Sequence, residues 1–201
     1  MTAKQPLVSI DVVPVRFNRK HSVLEFATGR RIFEPFLDHQ ALPGVLLGSG
    51  ESISDAATRA LESKVGLPSG ISRQLGAFDS TDRDPRGASI SIAIISIQDS
   101  NATSPQAFWH SNILKLPFDH EAIVASAMNK TRQAIWNDVE FTRGLLGESF
   151  TTADATAISS PTPLASNAKR WFETWPYVRR VNGTVKKGAV GRPATTWEWV
   201  N

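Results

Sequence analysis

The sequence contains no cysteine among its 201 residues. That absence excludes a disulfide framework, a thiol nucleophile and a thiolate metal site. No apolar run approaches the roughly 20 residues that a membrane-spanning helix needs, and residues 1–15 lack the long apolar core of a secretory signal. We therefore expect a cytoplasmic protein that has no membrane partner.

The composition is that of an ordinary globular protein, with 41% hydrophobic and 20% charged residues. The net charge of +3 is divided unevenly along the chain. Residues 1–140 hold 14 lysines and arginines against 15 acidic residues, whereas residues 141–201 hold 8 against 4. This asymmetry is typical of an appended nucleic-acid-binding module, and a basic tail without function is the alternative.

The stretch 42–67, LPGVLLGSGESISDAATRALESKVGL, predicts a loop followed by a helix. Proline and glycine residues mark the loop. Ser52 is suited to cap the helix, with Asp55 as its reciprocal partner three residues later, and apolar residues then recur at helical spacing. Gly66 follows the last of them, as glycine often does just past a helix C-terminus.

This stretch resembles the Nudix box of the Nudix hydrolase superfamily. That pattern runs glycine, five residues, glutamate, seven residues, and then arginine, glutamate, an apolar residue, any residue, two glutamates, any residue, glycine and an apolar residue. Five positions are in register: Glu51, Arg59, Leu61, Gly66 and Leu67. Four positions depart from the pattern: Val45 for the glycine, Ala60 for the first helical glutamate, and Ser63 and Lys64 for the last two. The resemblance implies that the missing glutamates are the metal ligands of the family.

These departures remove the chemistry that the box would support. Nudix hydrolysis of a diphosphate uses Mg²⁺ held by carboxylates, and positions 60, 63 and 64 are neighbours on one helix face. Alanine, serine and lysine offer no carboxylate, and a lysine repels Mg²⁺ by roughly 4 kcal/mol per unit charge at about 4 Å and an effective dielectric of about 20. We therefore predict that the protein is not an enzyme and has neither catalytic residues nor a metal site.

The remaining first part of the chain predicts an α/β fold. Apolar and β-branched runs predict strands at 8–17, 23–27, 46–47, 73–78 and 88–97. A second helix is predicted over about 121–136, with Asp119 as its N-cap. Strands on either side of one helix, with another helix at the end, indicate an α/β/α sandwich with a mixed sheet.

Two further segments extend the resemblance. DRDPRG at 82–87 precedes a strand, and FDHEAI at 118–123 opens a helix. Both are similar to segments of the Nudix-related transcriptional regulators, the NrtR family, and of ADP-ribose pyrophosphatases. Together with the box they cover most of residues 8–137. The resemblance implies a Nudix-like effector-binding domain over residues 1–138.

The predicted effector is ADP-ribose or a related nucleotide, and no other cofactor is expected. The residues predicted to bind it are Lys64, Arg83, Arg86, Glu51 and Arg59. Lys64 would attract a diphosphate directly, without a metal ion. Arg83 and Arg86 suit phosphate or ribose because arginine binds oxyanions through two N–H groups, and a turn held by local ion pairs is the alternative. Glu51 and Arg59 resemble a structural brace of the loop, and a plain amphipathic helix without function is their alternative.

Other side chains are weaker candidates for this site. Arg16, Phe17, Arg30 and Arg31 are the remaining basic or aromatic candidates. The histidines show no metal-ligand spacing, and we expect each of them at the surface or at a helix cap: His21, His39, His110 and His120.

Residues 139–201 predict a second domain. A helix at 153–158, a turn with two prolines, a helix at about 164–175 and strands at 177–181 and 195–200 follow one another. This order is that of a winged helix-turn-helix. The segment GRPA at 191–194 before an aromatic strand also resembles the wing of the NrtR regulators, which implies a winged helix DNA-binding domain.

The basic and polar residues of this domain are the candidates for DNA contact. On the second helix, the candidates for base edges and phosphates are Ser166, Asn167, Lys169 and Arg170. In the wing, the candidates for phosphate or minor-groove contact are Lys186, Lys187 and Arg192. Four tryptophans follow residue 170, and their spacing favours a small core over base stacking on single strands.

The leading hypothesis is a ligand-responsive regulator that binds a double-stranded operator. The resemblance implies repression of NAD-metabolism genes, relief by ADP-ribose and a homodimer, and some members of the family respond to sugars instead. One alternative is a Nudix hydrolase with a divergent metal site at Glu51 and Glu62, in which the C-terminal domain serves oligomerisation. Another alternative is a nucleotide-binding interaction protein that does not bind DNA.

Overall fold

The computed structural model describes residues 5–159, 168–181 and 195–200. The strands within these ranges are β1 (Leu7–Asn18), β2 (Val23–Arg30), β3 (Gln40–Ala41), β4 (Gly44–Leu46), β5 (Ile71–Phe78), β6 (Ser89–Ile97), β7 (Phe108–His110), β8 (Ser149–Thr151), β9 (Val178–Val181) and β10 (Thr196–Trp199). The helices are α1 (Ile53–Val65), α2 (His120–Ala134), α3 (Val139–Leu146), α4 (Thr152–Ile158) and α5 (Ala168–Thr174). None of these helices is long and apolar enough to cross a bilayer.

The large sheet is mixed, as the sequence predicts. Its main path runs β3-β2-β1-β6-β5, while β4 pairs with β1 and β7 pairs with β2. β1 and β6 are parallel, and the other pairs are antiparallel. β1 is thus central, which places its carboxylate-bearing N-terminal half between β4 and β6.

Helices cover both faces of this sheet, so the predicted α/β/α sandwich is confirmed. Side chains alternate along a strand, and Ile10 and Val12 of β1 join the apolar cluster that contains α1. Val13 and Val15 face the opposite cluster, which includes residues of α2 and α3. Because β1 is buried on both faces, it reads as a nearly continuous apolar run.

The ends of α1 are where the sequence predicts them. The Ser52 side chain accepts a hydrogen bond from the Asp55 backbone N–H at 3.1 Å, which satisfies a backbone donor that the helix leaves unpaired. Gly66 ends the helix in the left-handed conformation, with φ of 61°. Local interactions at Ser52 and Gly66 therefore fix both ends of the helix of the box.

The C-terminal part has the element order of a winged helix-turn-helix. Its elements follow in the order α3, β8, α4, α5, β9 and β10, and the three strands form a sheet of order β8-β10-β9. The α3 helix and the β8 strand are not predicted from the sequence. Of the predicted helix at 164–175, residues 164–167 lie outside the described residues, and so do the predicted turn at 160–163 and wing at 182–194.

Aromatic side chains build the core of this part, as their spacing predicts. Trp197 and Phe172 are fully buried, and Trp171 stacks on Trp175 with 4.8 Å between ring centroids. Trp136 lies two residues beyond the end of α2. Its ring packs edge to face against the rings of Phe172 and Trp175. The rings thus join the end of α2 to α5.

The two predicted domains share one apolar cluster. It extends from Val13 and Ile95 in the sheet to Phe141, Phe172 and Trp197. The division of the chain at residues 138 and 139 stays a prediction.

The predicted N-cap of α2 is confirmed in its position but not in its hydrogen bond. Asp119 occupies the N-cap position of α2, but its side chain makes no capping hydrogen bond. Its carboxylate is instead bound by the guanidinium of Arg83 at 2.9 Å. Asp119 thus pairs with a residue 36 positions earlier in the chain and does not cap its own helix.

Candidate functional site

A cavity of about 380 Å³ opens at the C-terminal half of α1. Residues of β1, β2 and β4, the segment 31–34, the loop 82–87 and the start of α2 complete its walls. The charged residues that line it are Arg30, Arg31, Arg59, Lys64, Arg83, Arg86, Asp11, Glu34 and Asp84. Six cationic side chains against three carboxylates make this cavity suitable for an anionic ligand.

A buried charge network forms the floor of the cavity. The Arg83 guanidinium binds both carboxylate oxygens of Asp119, at 2.9 and 3.0 Å, and approaches Asp11 at 3.4 Å. The Asp11 carboxylate also accepts hydrogen bonds from Ser9 and Ser91. Burial alone would lower the pKa of Arg83, but the hydrogen bond and charge of Asp119 and the charge of Asp11 outweigh it and raise that pKa.

His120 completes the floor and is not at the surface, so the prediction for this histidine is wrong. The Leu42 backbone N–H donates to its Nδ1 at 3.0 Å, which leaves the proton of the neutral ring on Nε2. That nitrogen lies 3.7 Å from a carboxylate oxygen of Asp11. Burial lowers the pKa of His120 although Asp11 and Asp119 act against it, so the ring is neutral near pH 7.

The alternative that the sequence left open, a loop held by local ion pairs, describes Arg86 but not Arg83, whose carboxylate partners are the distant Asp119 and Asp11. Arg86 binds both carboxylate oxygens of the buried Asp84, with the shortest contact at 2.7 Å. Arg83 lies inward on the cavity floor, whereas the Arg86 side chain is 43% exposed at the rim. Both predicted arginines therefore line the cavity, and both already have a carboxylate partner.

Glu51 and Arg59 form a brace between the glycine loop and α1. Arg59 donates to both carboxylate oxygens of Glu51 at 2.7 Å and to the Leu46 carbonyl at 3.0 Å. Glu51 also accepts from the Gly48 backbone N–H at 2.8 Å. These bonds hold the loop against the helix. Arg59 lines the cavity, whereas Glu51 lies outside its walls.

The positions of the missing glutamates do not fit a Mg²⁺ site. Ala60 is fully buried against the sheet and offers no ligand atom. Ser63 is exposed and its hydroxyl donates to the Arg59 carbonyl at 2.5 Å, and Lys64 lines the cavity. The described residues contain no group of three histidine or acidic side chains placed to hold a metal ion. Mg²⁺ prefers oxygen ligands, and these three side chains offer at most one hydroxyl.

The weaker candidates divide between the cavity and the rest of the molecule. Arg31 and Arg30 line the cavity, and Arg30 pairs with Asp38 at 2.9 Å. Arg16 instead pairs with Glu25 and lies over the Trp109 ring, and Phe17 is buried in the core. Neither Arg16 nor Phe17 lines the cavity, so these two weaker candidates are wrong. As neighbours on β1 they point to opposite faces of the sheet, Arg16 toward Glu25 and Trp109 and Phe17 into the core.

Of the residues predicted to contact DNA, two are described. Lys169 and Arg170 are exposed on α5. The others lie outside the described residues: Ser166, Asn167, Lys186, Lys187 and Arg192. The roles of all seven stay predictions.

Sequence reasoning did not find Asp11, Phe33, Phe118 or His120 as cavity residues. Asp11 interrupts an apolar strand, and a lone carboxylate within such a run is the signal that could have found it. Phe118 and His120 belong to the segment FDHEAI that carried the resemblance, although neither was predicted as a cavity residue. The segment around Phe33 carries no comparable sequence signal.

No family model matches the chain. The curated ADP-ribose pyrophosphatase of Methanocaldococcus jannaschii is 35% identical over 106 residues, which cover 49% of this chain and 63% of that protein. The match thus spans less than two thirds of that relative.

Among solved structures, Shewanella oneidensis NrtR complexed with a 27mer DNA has a TM-score of 0.77 at 20% identity, over 96% of this chain and 93% of that chain. A MutT/nudix family protein from Enterococcus faecalis has a TM-score of 0.74 at 19% identity, over 100% and 88%. The NUDIX domain of Shewanella oneidensis NrtR complexed with ADP ribose has a TM-score of 0.55 at 23% identity, over 63% and 89%. The chain therefore has the fold of a Nudix domain followed by a C-terminal domain, as NrtR has, and the resemblance predicted from the sequence is confirmed at the level of the fold.

Proposed function

We propose that this chain is a ligand-responsive, DNA-binding regulator whose Nudix-like domain binds ADP-ribose or a related nucleotide without hydrolysing it. One observation carries the proposal. The helix of the box borders a cavity rich in cationic side chains, and the metal-ligand positions on that helix hold Ala60, Ser63 and Lys64. Such a cavity attracts a diphosphate, and the box positions on the helix offer no carboxylate that would bring a metal ion to it.

Two solved relatives support the choice of ligands. The NUDIX domain of Shewanella NrtR has been solved with ADP ribose, and the longer NrtR chain with DNA. In this chain, the exposed Lys169 and Arg170 of α5 and the excess of basic residues after residue 140 suit phosphate contacts along a duplex.

The α2 helix provides a physical connection between the cavity and the C-terminal part. Its first residue, His120, lines the cavity floor. Beyond its last turn, the Trp136 ring packs on Phe172 of α5 and on Trp175, which directly follows α5. A ligand that shifts the start of α2 would change the packing of α5, and reciprocity requires DNA to alter ligand affinity by the same factor.

Further properties belong to the same proposal. By analogy with the regulators it resembles, the protein acts in the cytoplasm as a repressor of NAD-related genes, in a homodimer. Two-fold symmetry then predicts a pseudo-palindromic operator with half-sites separated by a multiple of about 10 base pairs.

A gel shift on the DNA upstream of the protein's own gene, with and without ADP-ribose, tests the proposal. We expect a salt-sensitive complex whose affinity changes when ADP-ribose is added. A DNA complex whose affinity does not change with ADP-ribose would contradict ADP-ribose as the effector. A lack of any duplex binding would contradict the regulator and favour an interaction protein that does not bind DNA.

The second candidate is an ADP-ribose pyrophosphatase with a divergent metal site, and the 35% identity to such an enzyme favours it. In that case Glu51 and Glu62 would supply the metal ligands. Glu51 is already bound by Arg59, and Glu62 is exposed on α1. Incubation with ADP-ribose and Mg²⁺ separates the candidates, since steady release of AMP supports the enzyme and its absence supports the regulator.

A further inference from the structure

Most cations of the cavity already have a carboxylate partner. The pairs are Arg30 with Asp38, Arg59 with Glu51, Arg83 with Asp119, and Arg86 with Asp84. Within the described ranges, the lining cations that form no ion pair are Arg31 and Lys64. An incoming anion can bind these two side chains without breaking an existing ion pair.

Lys64 lies at the position of the last glutamate of the box. Its side chain is half-buried in the cavity wall, and its Nζ lies 5.7 Å from the ring centroid of Phe33. It makes no hydrogen bond to any residue in the described part of the chain. The ammonium group thus presents a compact positive charge where the Nudix pattern would place a carboxylate that binds a cation.

Arg31 lies on the segment that follows β2 and lines the same cavity as Lys64. Its guanidinium donates to the carbonyls of Pro35, at 2.8 Å, and Phe33, at 3.3 Å, and lies 4.8 Å from the Phe118 ring centroid. Burial, followed by the charge of Arg86, lowers the pKa of Arg31. A positive group in such surroundings gains more from a bound anion than an exposed one does.

Glycine in β2 brings the two cations into one cavity. A Cβ at position 29 would lie 2.8 Å from the Lys64 backbone oxygen and 2.9 Å from a Val65 methyl group. Gly29 therefore lets the end of β2 pass against the C-terminal end of α1. Arg31, two residues later, then enters the cavity that Lys64 lines.

We infer that Arg31 and Lys64 together hold the diphosphate of the ligand and that this binding needs no divalent cation, because the Lys64 ammonium takes the place of the metal ion. The inference rests on the proposed nucleotide-binding function. It assigns the diphosphate to these two side chains and not to the four paired arginines. It also implies that Mg²⁺ weakens binding, since Mg²⁺ removes negative charge from the diphosphate that the two cations attract.

Isothermal titration calorimetry on the full chain tests the inference with two probes, ADP-ribose and inorganic pyrophosphate, each in EDTA and in excess Mg²⁺. The variants are Lys64→Ala, Lys64→Glu and Arg31→Ala, with Arg31→Lys as a variant that keeps the charge. Lys115→Ala and Arg132→Ala are matched controls, because both side chains are exposed and lie outside the cavity. Thermal melting of each variant shows that it is folded.

We expect wild-type protein to bind ADP-ribose in EDTA at least as tightly as in Mg²⁺. Loss of either charge-assisted contact should weaken binding at least about tenfold in Lys64→Ala and Arg31→Ala, while the controls bind like wild type. In Lys64→Glu, binding in EDTA should be lost and partly restored by Mg²⁺, since the new carboxylate can hold the cation.

Three outcomes separate the inference from the function on which it rests. Binding of ADP-ribose that requires Mg²⁺, or that is unchanged in Lys64→Ala and Arg31→Ala, overturns the inference and leaves the effector role intact. Binding of pyrophosphate alone in EDTA, weakened by both variants, supports the inference and contradicts ADP-ribose as the effector. Failure of both probes to bind overturns both.

Discussion

The Arg83 guanidinium donates hydrogen bonds to both carboxylate oxygens of Asp119, from Nε at 2.9 Å and from Nη2 at 3.0 Å. The Arg83 side chain is 3% exposed, so this pair is withdrawn from water. It ties the 82–87 loop to the first turn of α2 and sets the floor of the cavity. The energetic consequence of breaking it is large, because a carboxylate left buried without its partner is strongly unfavourable.

Arg83→Ala should lower the free energy of unfolding by about 3–5 kcal/mol, since Asp11 and Asp119 would both lose their cationic partner. Urea unfolding monitored by tryptophan fluorescence measures this change. Arg30→Ala is the matched control, because its pair with Asp38 is about two-thirds exposed and should contribute at most about 1 kcal/mol. Equal losses in the two variants would contradict a buried role for Arg83.

The loop brace at Glu51 should respond to acid. The hydrogen bond from Arg59, followed by that from the Gly48 N–H, lowers the pKa of Glu51 to about 2 from an ordinary value of 4.5. Because the folded pKa lies below the unfolded one, the brace contributes its full stability above about pH 4.5 and loses it as the pH falls through about 2. NMR titration of the Glu51 carboxyl carbon and the Gly48 amide should show a midpoint near 2.

Arg59→Ala provides the control for that titration. Without its strongest hydrogen bond, the pKa of Glu51 should rise toward the ordinary value, and the Gly48 amide should follow the same midpoint. A wild-type midpoint already near 4.5 would mean that the brace does not form in solution.

Local signals explain why α1 was predictable. Ser52, Asp55 and Gly66 act within one turn of the helix ends, so the sequence contains the whole interaction. The position of the α2 cap was predictable in the same way, but the partner of its side chain was not. Asp119 has the residue type of an N-cap, but Arg83 binds its carboxylate from a distant loop.

The candidate site was predictable only in part. The box and the 82–87 loop pointed to Lys64, Arg59, Arg83 and Arg86, all of which line the cavity. The pairs of Arg59 with Glu51 and of Arg86 with Asp84 are local, and the sequence indicated both as alternatives. The pair of Arg83 with Asp119 depends on contacts across the fold, so the sequence did not reveal it. Arg31 was underestimated because its place beside Phe33 and Phe118 comes from loop packing.

The aromatic cluster should be essential for the stability of the C-terminal part. Phe172 is fully buried and contacts the rings of Trp136, Phe150 and Trp197. Phe172→Ala should cost about 3–5 kcal/mol through lost burial and the cavity that remains. Chemical unfolding followed by near-ultraviolet circular dichroism measures the loss. Val200→Ala, at a side chain that is 46% exposed, should stay within about 0.5 kcal/mol of wild type.

Replacing Lys169 and Arg170 together with alanine should weaken duplex binding uniformly across sequences if both side chains neutralise phosphates. Each lost phosphate contact should reduce the slope of log affinity against log salt by about 1, so the double variant should lose about 2 from that slope. Fluorescence anisotropy at several salt concentrations measures this slope, and unchanged ADP-ribose binding shows that the cavity is intact.

Arg132→Ala, on the exposed side of α2, is the control for a general loss of positive charge. A double variant with the wild-type slope would remove α5 from the DNA interface, because a helix that lies against the phosphates cannot lose two cations without releasing fewer counterions.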